Sequence, residues 1–256
     1  MVLNRWRLDG LCALVTGGTK GIGHAIAEEM LQLGAAVYIV ARNIDEVEEC
    51  IVSWQQQGLT ALGSAADVSH SGDRKGLMEN LKSNWKKLDI LVNNVGTNIR
   101  KKAVEYSADE YDTIMGTNLR SGFEICQQAY PLLKKSKTAS VVNIVSVAGL
   151  THLRTGALYA MSKAALTQLT RNLAGEWAAD GIRVNAVAPW YTRTPLVQPL
   201  MEDKNYLAAI LDRTPLGRIA EPEEVAAVAA FLCMPAASYV TGECIAVDGG
   251  FMIYGF

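Results

Sequence analysis

Tyr159 and Lys163 stand four residues apart in Tyr159-Ala160-Met161-Ser162-Lys163, so on a helix the phenol and the ammonium share one face. A phenol ordinarily titrates near ~10, too high to ionise readily at neutral pH, and a neighbouring cation stabilises its anion. The pair has the makings of a proton donor and acceptor, although the same spacing serves equally as a solvated helix face. Residues 159–177 are rich in Ala, Leu, Met, Gln and Arg, lack proline and run into Asp180-Gly181, which predicts a helix with a glycine stop.

Gly17, Gly21 and Gly23 form a second group. Glycines permit backbone conformations closed to other residues and let a pyrophosphate approach the N–H-rich start of a following helix. Their spacing differs from the standard dinucleotide fingerprint. They nevertheless lie between an apolar run, Leu11-Cys12-Ala13-Leu14-Val15, and a helical repeat of Ile22, Ile26, Met30 and Leu33, which favours a cofactor over a plain tight turn. At the end of the next strand candidate, where a carboxylate would grip the ribose of NAD, the chain has Ala41-Arg42 and no acid. Arg42 suits a 2′-phosphate and Lys20 could add a second charge; the rival reading is two ordinary surface cations. NADP(H) rather than NAD(H) is therefore expected. Asp67 ends a weaker third strand, where it either bonds an adenine amino group or caps the next segment.

The elements that must position these groups alternate. After the first two strand–helix units come a helix with Leu77, Leu81 and Trp85, then a strand at Leu88-Asp89-Ile90-Leu91-Val92. Ser107 and Glu110 form a capping box ahead of a long helical stretch containing Asn118, a residue unfavourable mid-helix unless a kink there frees backbone groups for water. The strand Val141-Val142-Asn143-Ile144-Val145 has Ser146 at its exit. The Tyr159 helix follows, then Arg183-Val184-Asn185-Ala186-Val187, a long irregular section over 189–220 read as a lid, a helix opened by Pro222 and stopped by Pro235, and a last strand over 243–247. Seven strands alternating with helices predict one α/β domain over 1–256, a Rossmann-like doubly wound parallel sheet with helices on both faces. An eight-fold β/α barrel is the rival, disfavoured by the first glycine turn and by the closing strand with no helix after it.

Composition narrows the partners. The chain has 256 residues, half of them apolar, and a net charge of -2, so neither nucleic acid nor a membrane surface is indicated. Five scattered cysteines without a Cys-x-x-Cys pair point to reduced thiols. His24 and His70 lack partners at ligand spacing, and no metal is expected. No long apolar signal core or membrane-length run is found, so a soluble cytoplasmic protein is expected.

Taken together the chain resembles the short-chain dehydrogenase/reductase family over essentially its whole length. Thr16-Gly17-x-x-x-Gly21-x-Gly23, Asn93-Asn94-Val95-Gly96, Asn118, Ser146, Tyr159-x-x-x-Lys163, Pro189 through Thr194 and Val247-Asp248-Gly249-Gly250 fall in the family's order. Arg42-Asn43, Leu169-Thr170-Arg171-Asn172-Leu173-Ala174-x-Glu176-Trp177-Ala178 and Phe231-Leu232-Cys233-Met234-Pro235-Ala236-Ala237-Ser238-Tyr239 resemble its tropinone reductase-like branch. The resemblance implies NADPH-dependent reduction of a small ketone or other carbonyl to an alcohol, reversible in principle. Tyr159 would be the general acid/base, Lys163 its electrostatic partner and a ribose ligand, Ser146 a donor to the carbonyl oxygen, and Asn118 part of a proton relay through water. It also implies that the cofactor lies along Gly17, Thr19, Lys20, Gly21, Ile22 and Gly23, then Arg42, Asp67, Val68, Asn94 and Gly96, then Tyr159 and Lys163, with Pro189, Thr192 and Thr194 at the nicotinamide.

Substrate is expected at Asn98, Arg100, Val147, His152, Leu153, Trp190, Tyr191 and Leu196. The mixed apolar and aromatic lid suggests a compact, partly hydrophobic ketone or alcohol. A homodimer or homotetramer is implied, built through paired helices and the C-terminal segment. Two departures stand out: Val95 replaces the family's usual alanine, and Trp190 replaces the glycine that often follows the proline, which puts the loop path there in doubt. Two other functions stay open. An oxoacyl-acyl-carrier-protein reductase would use a basic entrance formed by Arg100, Lys101, Lys102, Arg154 and Arg193. A catalytically silent NADP sensor would be expected to have lost some catalytic group.

Overall fold

Along the inner strands, neighbouring side chains are buried on opposite faces, so each face needs its own cover of helices. Ala13 and Val15 sink into one core with Val37, Ile39, Val142 and Ile144, while Leu14 enters the other with Tyr38, Val40 and Val141. The computed structural model describes residues 3–254 other than 155; the ends of the expected domain, 1–2 and 255–256, lie outside the described residues. The strands are β1 (Cys12–Thr16), β2 (Ala36–Ala41), β3 (Ala61–Ala65), β4 (Ile90–Asn93), β5 (Ser140–Ile144), β6 (Arg183–Pro189) and β7 (Cys244–Val247). They pair in parallel in the order β3-β2-β1-β4-β5-β6-β7. The sheet is open, which removes the barrel alternative.

Helices α1 (Gly21–Gln32) and α2 (Ile44–Gln56) cover the first face with α9 (Pro222–Cys233). Helices α3 (Ser71–Asn84), α5 (Ser121–Leu133) and α6 (Ala157–Trp177) cover the second. The long stretch after Ser107 is not one regular helix. It runs as α4 (Ala108–Met115), a π turn over Gly116–Arg120, and then α5. In that turn the Ser121 N–H reaches back five residues to Gly116, and the Thr117 carbonyl takes the Ser121 hydroxyl instead (2.5 Å). The distortion falls on Asn118, where the sequence predicts one.

The expected irregular lid is a correction in part. It contains α7 (Gln198–Met201) and α8 (Lys204–Asp212), the latter started by Asp203 accepting from the Asn205 and Tyr206 N–H groups. Its root is pinned by a parallel bridge between Thr192 and Ala220, with Ala220 N–H on Tyr191 (3.1 Å). No helix of the described residues is long and apolar enough to cross a membrane.

Candidate active site

The strand order reverses between β1 and β4, and the carboxyl ends there open into a cleft of about 670 Å³. At its floor Gly17 (φ 67°) and Gly21 (φ 54°) take left-handed backbone, and the turn folds onto β2 through Gly17 N–H to Val40 (2.7 Å). Lys20 precedes α1 without a side-chain cap, so the helix's first N–H groups stay open for an anion. Thr194, in the segment after β6, packs against Gly21 so tightly that a Cβ there would lie 3.1 Å from its Cγ2. Pyrophosphate fits this cradle by shape and by donors.

Asn94 was expected at the cofactor. It lines the cleft, but its amide is spent as a brace, donating to the carbonyls of Thr16 (2.9 Å) and Gly17 (3.2 Å). Lys20 also lines the cleft. Its ammonium pairs with Glu46 (2.7 Å), which also accepts from Thr19 and Asn43 (3.3 Å each), and these partners hold the Glu46 carboxyl below its usual range. Arg42, exposed at the end of β2, faces the cleft beside Asp67 and Val68. Asp67 takes the capping alternative, its Oδ1 accepting from Ser69 N–H (2.9 Å) and Oγ (2.6 Å).

Ser146, Tyr159 and Lys163 meet at the far end of the same cleft. Helix α6 is set there by a polar ladder through the core: Asn93 donates to Asn143 on the next strand (2.9 Å), and Asn143 to Thr170 (2.9 Å). Tyr159 and Ser146 line the same two cavities; burial raises the phenol above its ordinary value, and Ser146 and the Arg100 charge pull it partly back. Lys163 is 3% exposed, donates to the Ile144 carbonyl (2.8 Å) and lies 5.8 Å from the Tyr159 ring centroid. Burial lowers its ammonium to about 8. Asn118 accepts from Thr97 N–H (2.7 Å) and donates to Thr97 C=O (2.9 Å) and Ser162 (3.1 Å). Its side chain thus locks the loop after β4 to helix α6.

A smaller cavity of about 70 Å³ adjoins Ser146 and Tyr159, lined by Asn98, Arg100, Leu153, Trp190, Tyr191 and Leu196 among others. Two expected substrate residues fall elsewhere. Val147 is fully buried with Val145 and Leu166, because the turn after β5 points it into the core. His152 is exposed and lines a neighbouring cavity beside Arg154 and Arg213. Trp190 finds its room by stacking on Phe251 (3.9 Å between centroids) and donating to Thr214 (3.0 Å), while still edging the cleft.

Sequence reasoning missed Thr97, Thr113 and Thr117 on the cleft wall, of which the last two share a helix face four residues apart. It also missed Tyr106, whose hydroxyl donates to Ile99 (2.6 Å) and accepts from Lys101 N–H (3.4 Å). Among the described residues no group of acids, histidines and cysteines could hold a metal ion.

An open parallel sheet with a glycine-floored cleft and a Ser-Tyr-Lys cluster at its end defines a nicotinamide-dependent oxidoreductase acting on CH–OH or C=O groups. The chain belongs to the short-chain dehydrogenase/reductase family, in its tropinone reductase-like branch. The family model described as enoyl-(acyl carrier protein) reductase matches residues 17–252. A tropinone reductase homolog of Arabidopsis thaliana is 54% identical, covering 98% of this chain and 96% of the relative. One from Datura stramonium is 45% identical, with 98% and 96% covered. A gluconate 5-dehydrogenase from Burkholderia cenocepacia, solved in complex with NADP and tartrate, superposes with a TM-score of 0.95 at 31% identity over 99% of each chain.

Proposed function

We propose that this protein is an NADPH-dependent carbonyl reductase with Tyr159 as its general acid/base. The observation that carries the reading is the meeting of Ser146, Tyr159 and Lys163 at one end of a cleft whose other end presents Arg42. NADPH, when bound, supplies hydride to the carbonyl carbon. Ser146 donates a hydrogen bond to the carbonyl oxygen, and Tyr159 gives that oxygen its proton as charge develops there. The phenolate left behind is stabilised by the Lys163 ammonium, in surroundings where burial strengthens the attraction. The raised phenol of Tyr159 keeps the acid loaded at neutral pH, which suits reduction. All four groups a silent sensor would be expected to lose in part, Asn118, Ser146, Tyr159 and Lys163, are present. A cytoplasmic homodimer or homotetramer completes the reading.

Monitoring NADPH absorbance against a ketone panel that includes an oxoacyl thioester and an enoyl thioester tests it. Turnover of small free ketones supports the proposal; turnover of the thioesters alone moves it to carrier-bound substrates, and no turnover at all to a sensor. Lys101 and Arg193 are paired with Glu110 and Glu221, which weakens a basic docking entrance. Cofactor choice has its own test. Arg42→Ala weakens NADPH binding by about 30-fold, the worth of a charge-assisted contact, and leaves NADH nearly unchanged. Equal loss for both nucleotides in a fluorescence titration would remove Arg42 from 2′-phosphate recognition.

A further inference from the structure

Arg100 stands out among the cations around the reacting groups. Lys20, Lys101 and Arg193 each have a carboxylate partner, whereas Arg100 forms no ion pair among the described residues and lines the small cavity with Ser146 and Tyr159. No aspartate or glutamate lines that cavity. Tyr159 and Tyr191 line that cavity with it, close enough for the guanidinium charge to lower both phenols somewhat. The adjoining cavity adds Arg154 and Arg213 against a single acid, Asp212.

The backbone that carries Arg100 is held from both sides. The Tyr106 hydroxyl donates to the carbonyl before it and accepts from the N–H after it. That hydroxyl is backed by Gly156 (φ 104°), where a Cβ would come within 2.2 Å of it. The backbone at Arg100 is thereby fixed, and its exposed side chain, without a carboxylate partner among the described residues, carries the planar donor fork that recognises carboxylate bidentately.

We infer that the substrate is an oxo acid, a compact ketone whose carboxylate is bound by Arg100 while its carbonyl oxygen lies between Ser146 and Tyr159. This rests on the carbonyl-reductase reading and narrows it. Arg100, Ser146 and Tyr159 share the lining of one small cavity, which favours a short chain between the two groups. The carboxylate is a spectator: the carbonyl carbon gains hydride from NADPH, its oxygen gains the Tyr159 proton, solvent restores that proton, and a hydroxy acid and NADP leave. A ketone bearing an ammonium group meets repulsion from Arg100 instead.

The test compares kcat/KM for short oxo acids and their methyl esters, in wild type, Arg100→Gln and Arg100→Lys, alongside calorimetric binding of the matching hydroxy acids to NADP-loaded protein. The wild type prefers acid over ester by about 30-fold; Gln brings that ratio close to unity and Lys restores part of it. Esters reduced as well as acids, or a ratio unmoved by Arg100→Gln, overturn the inference and leave the reductase reading standing. Arg100-dependent hydroxy-acid binding with no turnover of any ketone upholds the anion site and overturns the reductase reading. Absence of both turnover and Arg100-dependent binding overturns both.

Discussion

Tyr159→Phe lowers kcat for carbonyl reduction by about 10³-fold while NADPH binds with its wild-type affinity. The substitution deletes one oxygen. It leaves the ring in place on α6, beneath a cleft whose phosphate cradle and Arg42 end are untouched. What disappears is the proton that neutralises the developing alkoxide. Since the interaction lost matters mainly in the transition state, kcat and kcat/KM fall together and KM moves little. Single-turnover rates and NADPH titration on the same variant are the measurements. Retention of more than a tenth of the wild-type rate would assign the proton to another group.

The same site fixes the sign of the pH response. Burial raises the Tyr159 phenol, so through neutral pH it is protonated and reduction stays flat. Lys163 loses its charge as pH rises through about 8, which removes the cation that stabilises the phenolate, and reduction declines from there. Alcohol oxidation needs the deprotonated phenol and rises with pH instead. For stability, the folded Lys163 value lies below its unfolded one, so the cost of burying its charge is full below about 8 and is relieved as pH climbs toward the ordinary lysine value. Initial rates in both directions across pH check the crossing of the two profiles.

The strands were readable because each inner run is buried on both faces; only their ends moved by a residue or two, as at Leu11-Cys12-Ala13-Leu14-Val15 against Cys12–Thr16. The π turn was readable for a chemical reason: asparagine at 118 contradicts a regular helix. Helix α8 could have been found from Asp203, an N-cap ahead of Tyr206, Leu207 and Ile210. Other features lie beyond local pattern. The capture of Lys20 by Glu46 joins residues 26 positions apart, and the bracing role of Asn94 depends on β1 and β4 becoming neighbours. Val147 illustrates the limit in reverse, since a residue one position past Ser146 turns into the core instead of the cleft.

Gly23→Ala abolishes useful NADPH binding and destabilises the fold, whereas Gly76→Ala does the opposite to stability. The added Cβ at position 23 would lie 2.1 Å from the Gly17 carbonyl oxygen and 2.4 Å from Asn94 Nδ2, the acceptor and donor of the same brace. Neither can yield cheaply. Gly17 is a left-handed turn residue tied to Val40, and the Asn94 amide holds β4 to the turn. The turn must therefore shift, which moves the open N–H groups of α1 away from the pyrophosphate. Overpacking of this kind costs about 3 kcal/mol, or roughly 6–12 °C in Tm for a domain of this size. At Gly76, inside α3, a Cβ meets nothing within 4 Å, so alanine adds ~0.5–1 kcal/mol through helix propensity alone. Thermal melts with and without NADPH separate the two: the Gly76 variant keeps the full cofactor-induced rise in Tm and the Gly23 variant loses it. A Gly23 variant that kept the rise would mean that the turn is held by something other than the Asn94 brace.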